Sequence, residues 1–243
     1  MNAILDAFAR MRPGEAVAWL FAVNVLLFVL ALVVGEILVR LFGSQLVGPA
    51  PPPVDRREIA LAASCVLFNT VVNVIGWWMW RSGYLTIRLD TGVRAWLDAL
   101  VLLVMMDLSM YVTHRLAHLP VIYRLVHATH HKYDRPRPLD LFVLSPLEVL
   151  GFGGLWLAIL WVYSASWLGI VVYLTLNLAF GLVGHLGVEP FPRSWASHRV
   201  LKYLGTSTFH AGHHQDGRGN FGFYTLIWDR MFGTLHPGNA GRP

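Results

Sequence analysis

The sequence has little charge and almost no cysteine. Aspartate, glutamate, lysine and arginine together make up 14% of the 243 residues, whereas a soluble globular domain has about 25%. The composition therefore argues against a water-soluble globule. The one cysteine, Cys65, has no partner for a disulfide bond within the chain, so a disulfide-stabilised miniprotein is excluded. A single thiol also excludes a metal cluster held by several thiolates.

Long apolar runs are the first feature that is present. Residues 16–35 and 59–80 carry no charged side chain. At about 1.5 Å per residue, each run is long enough to cross a hydrocarbon core of about 30 Å. The third run, 95–113, is also apolar but contains Asp98 and Asp107. We expect all three runs to be membrane-spanning helices.

The fourth run, 149–188, also lacks charged side chains. As a single helix it would be about twice as long as the membrane is thick, so we expect a hairpin near Ser164. Because backbone polar groups in lipid need internal partners, the spans are expected to be α-helices. The predicted fold is an all-α integral membrane helical bundle of four to five spans. We divide it into N-terminal membrane helices, 1–90, and a histidine-rich part, 91–243.

The net charge of +5 comes from basic residues between the apolar runs, with no basic aromatic stripe, so no nucleic-acid partner is expected. If all five passes span, most basic residues share a membrane face with the histidine groups. The positive-inside rule then places the histidines on the cytoplasmic side. Arginine greatly outnumbers lysine, which is typical of a GC-rich bacterial genome, so we expect a bacterial inner membrane.

Histidine is unusually abundant, with eleven residues, of which eight fall into three groups. The groups are His114 with His118, His127 with His130 and His131, and His210 with His213 and His214. Residues three and four apart lie on one helix face, so the rings of each group can converge. Neutral imidazole is a common metal ligand. Eight rings exceed the roughly four ligands of one zinc site, so the sequence predicts a cap that holds two metal ions.

The identity of the metal stays open at this level, because imidazole suits iron, zinc, copper and nickel. Beside a lipid-embedded bundle, redox-active iron with O₂ fits the oxidation of lipid C–H bonds better than zinc, which has no redox chemistry. One alternative is a membrane metal transporter, which would carry ionisable residues along a path through its spans. Another is a zinc hydrolase, which would need a glutamate base as in HExxH, a motif that the chain lacks.

The order HxxxH, HxxHH, HxxHH resembles the fatty acid hydroxylase / sterol desaturase superfamily of membrane di-iron enzymes. The resemblance covers about residues 100–236 and is closest in pattern to the C5 sterol desaturase branch, although Ser145 stands where that branch has a histidine. The other motifs that carry it are Pro136-x-Pro138, Pro146-Leu147-Glu148 and Asn220-Phe221-Gly222.

The resemblance implies two iron ions (Fe²⁺/Fe³⁺), O₂ as co-substrate, and hydroxylation or desaturation of a sterol or fatty-acyl lipid in lipid biosynthesis. It also implies that His185, at the end of the last span, is a further metal ligand. The chain has no CxxCH haem motif, no Rossmann glycine pattern and no cysteines for an Fe–S cluster. Electrons are therefore expected from an external donor, a ferredoxin or a cytochrome.

Asp107 and Tyr111, which precede the first histidine pair in the sequence, are candidates for catalytic roles. Asp107 and Tyr111 share a helix face with that pair, and a carboxylate there could accept the second ring N–H of a ligand. Asp229 is expected to anchor the C-terminal turn instead. His198 and His236 lack a comparable context and are not assigned to the metal site.

Overall fold

The computed structural model describes residues 2–236, and the regular secondary structure in that range consists of helices. Within it there is no β-strand beyond three isolated bridges, so the all-α prediction is confirmed. The α-helices are α1 (Asn2–Arg10), α2 (Pro13–Leu41), α3 (Arg56–Arg81), α4 (Val93–Ala117), α5 (Pro120–Ile122), α6 (Ala128–His131), α7 (Pro146–Val162), α8 (Trp167–Gly184), α9 (Ser207–Asp216) and α10 (Ile227–Met231).

Side-chain caps mark the beginning of two of the long helices, α3 and α8. The Asp55 side chain accepts a hydrogen bond from the backbone N–H of Glu58 at 2.7 Å, at the start of α3. The Ser166 hydroxyl accepts one from Gly169 N–H at 3.1 Å, at the start of α8. Such caps satisfy N–H groups that have no partner inside the helix. The second cap follows the end of α7 by four residues, so the expected hairpin near Ser164 is confirmed.

Five helices run between the two ends of the bundle. Four of them, α2, α3, α4 and α8, are long and apolar enough to cross a membrane. α7 has only 17 residues, but it extends over the same distance along the axis of the bundle. Its first turn places Glu148 against His127 at one end, and Tyr163, just after its last residue, donates to Asp98 at the other. The chain is thus a membrane helical bundle with four to five spans, as predicted.

The core of the bundle lies between α4, α7 and α8. Leu102, Tyr173 and Tyr224 are among its fully buried side chains. In contrast, α2 leaves most of its apolar side chains uncovered, and Leu26 is 64% exposed. Uncovered apolar side chains over a whole helix are expected where lipid, rather than water, surrounds the protein.

Asp98 is a buried carboxylate near the start of α4, and it is fully paired. It accepts hydrogen bonds from Arg88 at 2.5 Å, the Tyr163 hydroxyl at 2.7 Å and Ser166 N–H at 2.9 Å. We call this set the Asp98 clamp. It ties the loop before α4 to the α7–α8 hairpin, at the end of the bundle away from the histidines.

A helical cap covers the other end of the bundle. It is formed by α5, α6, α9 and α10 with the turns between them, and it lies over the C-terminal ends of α4 and α8. α3 packs against α7 and against the short helix Pro138–Phe142, so N-terminal and C-terminal helices share one bundle. The division at residue 90 stays a prediction.

Candidate metal centre

Nine histidine side chains meet inside the cap and form two clusters. In each cluster, one ring nitrogen from every member lies within 4.8 Å of the others. Cluster one consists of His114, His118, His127, His131 and His213. Cluster two consists of His130, His185, His210 and His214. These nine are the residues that the sequence analysis selected as ligands.

The two HxxHH motifs divide their histidines between the clusters in opposite ways. In the first motif, the outer positions His127 and His131 belong to cluster one, and His130 belongs to cluster two. In the second motif, His213 belongs to cluster one, and His210 and His214 belong to cluster two. Each motif therefore supplies both clusters, which the spacing alone did not predict.

The second ring nitrogen of most cluster members is held by a defined acceptor. The Nδ1–H groups of His114 and His213 donate to the carbonyls of Phe221 and Gly219, at 2.9 and 2.7 Å. In cluster two, His130 and His185 donate to the carbonyls of Val143 and Gly181, at 3.2 and 2.8 Å. A neutral imidazole carries one N–H. When Nδ1 donates, Nε2 keeps a free lone pair, as a metal ligand requires.

The spacing of these lone pairs fits a bound cation. The Nε2 atoms of His130 and His185 are 3.3 Å apart, although both Nδ1 atoms face carbonyl oxygens, so neither Nε2 carries a proton to share. Two such lone pairs repel each other unless a positive ion lies between them. A metal bound to imidazole at about 2.0–2.1 Å holds neighbouring nitrogens about 3.0–3.4 Å apart. The residues present therefore fit a metal ion.

Burial keeps the rings in the neutral form that binds metal. Desolvation lowers the pKa of His118 to about 3, with the neighbouring imidazoles adding to the effect. It lowers the pKa of His131 and of His185 to about 4. The pKa is likewise lowered by burial at His127, His130, His210, His213 and His214. All of these imidazoles are neutral at pH 7.

The two clusters differ in their access to the outside. All four members of cluster two are buried, whereas His118 and His131 of cluster one are partly exposed. A polar pocket of about 300 Å³ opens beside cluster one and is lined by His118, Tyr123, His131, His214 and Asp216, among others. Cluster one is therefore the cluster with more contact to the aqueous side.

Glu148 is a contributor whose contact the sequence analysis did not identify. This buried carboxylate accepts a hydrogen bond from His127 Nδ1 at 2.5 Å. A carboxylate in this position fixes the tautomer and orientation of a ligand ring. The sequence does contain a signal for this role. Glu148 is an acidic residue at the start of an apolar run, where burying a charge costs free energy and usually indicates a functional residue.

The expectation that Asp107 accepts an N–H from a ligand ring is wrong. Its carboxylate accepts the backbone N–H groups of Tyr224 and Thr225 at 3.1 Å, the indole N–H of Trp228 at 2.9 Å and the Thr225 hydroxyl. These partners all belong to the C-terminal segment, more than 100 positions away. Asp107 therefore fastens the cap to the bundle.

Asp229 anchors the C-terminal segment, as expected. Its two carboxylate oxygens accept the N–H groups of Phe221 and Gly222 at 2.8 and 2.7 Å. The Phe221 carbonyl in turn accepts the Nδ1–H of His114. Asp229 thus positions the His114 ring through one intervening residue.

The remaining candidates lie outside both clusters. The Tyr111 hydroxyl pairs with the Thr234 hydroxyl at 3.0 Å, and a catalytic role for Tyr111 stays a prediction. His198 Nδ1 accepts backbone N–H groups of its own loop. His236 Nε2 lies 3.3 Å from Asp216. Neither histidine joins a cluster.

Comparison with known proteins agrees with the family resemblance of the histidine motifs. The fatty acid hydroxylase family matches residues 99–234. A cholesterol 25-hydroxylase-like protein of Danio rerio is 28% identical over 177 residues, 70% of this chain and 69% of that protein. The C-4 methylsterol oxidase erg25 of Schizosaccharomyces pombe is 31% identical over 129 residues, 51% of this chain and 42% of that protein.

A Delta(7)-sterol 5(6)-desaturase of Leptosphaeria maculans is 24% identical over 153 residues, 62% of this chain and 41% of that protein. The chain spans less than half the length of these last two relatives. No solved structure matches it. Because the family match runs from the first half of α4 to the turn after α10 and includes all nine clustered histidines, the chain belongs to the fatty acid hydroxylase family.

Proposed function

We propose that this protein is a membrane-bound oxidoreductase that uses O₂ and two iron ions to hydroxylate or desaturate a C–H bond of a sterol or fatty-acyl lipid. Family membership supports an oxidoreductase that modifies lipids, since the relatives are named as hydroxylases, oxidases and desaturases. The single observation that carries the proposal is the convergence of nine histidines in two clusters with facing lone pairs.

Iron is proposed rather than zinc because the reaction of the named relatives is oxidative, and zinc has no redox chemistry. Bound iron would supply the activation of O₂. Cluster one offers five nitrogens and cluster two offers four. Iron accepts about six ligands, so both clusters would leave coordination positions open, as catalysis at a metal requires.

The protein's own residues position the ions and exclude water. Nδ1 contacts to backbone carbonyls hold His114, His130, His185 and His213 in one tautomer. The four histidines of cluster two are buried, which keeps most of that site away from bulk water, and only His214 among them lines the polar pocket. The cap lies directly on the ends of α4 and α8, so a lipid in the membrane needs to travel only a short distance to reach the clusters.

The electrons would come from a separate ferredoxin or cytochrome. The polar pocket beside cluster one, which His118 and His131 line, offers a route by which such a donor could approach the histidines. We also propose that this face is cytoplasmic and that the membrane is a bacterial inner membrane, on the basis of the basic residues described above.

The proposal is tested by lipid mass spectrometry on cells that express the protein, together with metal analysis of the purified chain. We expect a new lipid oxygen or double bond and two iron ions per chain. His130→Ala should abolish the product and lower the iron content, because His130 belongs to cluster two. His198→Ala is the matched control, since His198 lies outside both clusters. This variant should still form the lipid product and keep its iron.

Other outcomes separate the alternatives. Zinc as the bound metal together with hydrolysis of an ester or peptide would favour a hydrolase. Metal uptake into vesicles without any lipid product would favour a transporter. An oxidised lipid that persists in His130→Ala would refute the assignment of the site.

A further inference from the structure

Two carboxyl groups lie buried beside each other where the N-terminal helices meet the segment that leads into α7. Glu58 belongs to the first turn of α3 and Asp140 to the short helix Pro138–Phe142, and each is only 1% exposed. The two side chains lie within hydrogen-bonding reach of each other. Neither residue belongs to a histidine cluster. We call these two residues the carboxyl pair.

One arginine is not enough to balance the charge of the carboxyl pair. Arg137 Nε lies 3.1 Å from Glu58 Oε1, but the two atoms are not aligned for a hydrogen bond. The Nη2 group of the same side chain donates to the Pro52 carbonyl at 2.6 Å. Two ionised carboxylates beside one guanidinium would leave one negative charge buried without a partner, which is strongly unfavourable. A single bound proton makes the site neutral.

The hydrogen bonds of the carboxyl pair leave one oxygen of each group without a donor. Glu58 Oε2 accepts the backbone N–H of Asp55 at 3.3 Å, and Asp140 Oδ2 accepts that of Arg137 at 3.0 Å. Glu58 Oε1 and Asp140 Oδ1 are buried and have no hydrogen-bond partner. Ionised carboxylates only accept hydrogen bonds, whereas a protonated carboxyl group also donates one. One proton held between these two oxygens therefore satisfies both.

The surroundings of Asp140 favour its protonated form. Burial raises the pKa of Asp140 to about 7, and the charge of Glu58 adds to the effect. The charged and titratable groups that surround the carboxyl pair from α3 and from the segment before the short helix are Asp55, Arg57, Tyr133 and Arg137. On the other sides, α2 and α8 approach the short helix at Gly35 and Gly181, against Pro138 and Leu141.

The short helix connects the carboxyl pair to a histidine of cluster two. The Val143 N–H donates to the Asp140 carbonyl at 3.1 Å. The Val143 carbonyl in turn accepts the Nδ1–H of His130 at 3.2 Å, and Val143 is fully buried. A displacement of the short helix would therefore move the acceptor that fixes the tautomer and orientation of the His130 ring.

We infer that Glu58 and Asp140 share one proton, and that this proton fastens α3 to the short helix that orients His130. Both are positioning residues, because they act on the His130 ring only through Val143. The effect on a metal ligand rests on the proposed function, whereas the shared proton does not.

The fastening depends on pH in a defined direction. The pKa of Asp140 in the folded chain lies above the ordinary value of 3.8, so the folded chain binds this proton more tightly than the unfolded chain does. The resulting stabilisation is fully present below about pH 4 and is lost progressively as the pH rises to about 7.

Infrared difference spectroscopy of the purified full-length chain in detergent detects the shared proton directly. We expect the C=O stretching band of a protonated carboxyl group at pH 6, and we expect it to disappear between pH 6 and pH 8. Asp140→Asn and Glu58→Gln should both lack this band. Asp134→Asn is the control, because Asp134 is an exposed residue of the same segment, and it should keep the band. If Asp140→Asn removes no such band, the shared proton is refuted.

Hydrogen exchange of the backbone amides of residues 138–145 measures the fastening. After correction for the intrinsic pH dependence of exchange, protection in the wild type should fall by up to about tenfold per pH unit from pH 5 to pH 7 and then level off. Asp140→Asn should be protected at every pH, because its amide can donate to Glu58 in place of the proton. Asp140→Ala has no donor and should lose protection even at pH 5. Protection in the wild type that does not change with pH would overturn the inference.

Iron retention shows whether the fastening reaches His130. A chelator should remove iron faster at pH 8 than at pH 6 from the wild type, and the difference should be smaller in Asp140→Asn. The same pH dependence in both proteins would overturn the link to His130. A chain that binds no iron would contradict the proposed function instead, and the infrared and exchange measurements would still decide whether the proton is shared.

Discussion

Glu148 shows how a single side chain can orient a histidine that is proposed to bind metal. Among the described residues, it is the one carboxylate that hydrogen-bonds a clustered histidine ring. Its Oε1 holds the Nδ1 proton of His127, so Nε2 of that ring stays free to bind. The Nε2 atoms of His114 and His131 lie 3.0 and 3.1 Å from it, so a rotated His127 would disturb the whole of cluster one.

We expect Glu148→Ala to lower metal affinity about 10- to 100-fold, the range usual for residues that orient a ligand. Glu148→Gln should have a smaller effect, because an amide oxygen can still accept the Nδ1–H. The measurement is the rate at which a chelator removes iron from the purified protein. Glu189→Gln is the control, since Glu189 binds Thr208 and Phe191 and no clustered ring. Equal rates in Glu148→Ala and wild type would contradict the role.

The α7–α8 hairpin is the element whose position depends most on one buried charge. Asp98→Asn keeps the shape of the side chain but leaves Arg88 with only the more exposed Asp90 as an ionic partner. Removing one partner of a buried pair is destabilising by about 3–5 kcal/mol, and the partial exposure of Arg88 makes the lower end the expected value. Thermal unfolding in detergent measures the change.

The control for the hairpin is Asp90→Asn, whose side chain is 35% exposed, so this substitution should lower the stability far less than Asp98→Asn does. Iron content per folded chain should be unchanged in both variants, because the clamp lies at the end of the bundle away from the histidines. A loss of iron in Asp98→Asn, without a loss of stability, would contradict this separation.

Helix periodicity was enough to predict that the histidines converge, but not how they divide. Spacings of three and four place His127, His130 and His131 on one stripe. The division between clusters depends on the π-helical turn Tyr123–His127, which precedes α6, and on the approach of α9 from the other side. The same limit explains the error at Asp107. Its partners lie in a segment whose position depends on tertiary packing, which one sequence does not reveal.

At the scale of the whole molecule, five passes put α1 and the cap at opposite ends. The indole N–H of Trp77, near the end of α3, donates to the Phe8 carbonyl of α1, whereas the backbone N–H of His236 donates to Asn220 in the cap. The positive-inside rule therefore predicts a cytoplasmic cap and C-terminus. Spans and hairpin were predictable because length and hydropathy are local properties of the chain.

A fusion experiment in a bacterial host checks the orientation. A fluorescent protein that matures only in the cytoplasm should be fluorescent at the C-terminus and dark in the loop between α3 and α4. A periplasm-dependent phosphatase at the same two positions should give the opposite pattern. Reversed signals at both sites would contradict a cytoplasmic cap.

The opposite division of the two HxxHH motifs has a consequence for how the protein acquires its metal. Helices α6 and α9 each carry histidines of both clusters. If two ions bind as proposed, the first would fix the rotation of both helices and thereby prearrange the histidines for the second. We then expect cooperative loading, with chains that hold a single ion scarce at every stage of a metal titration.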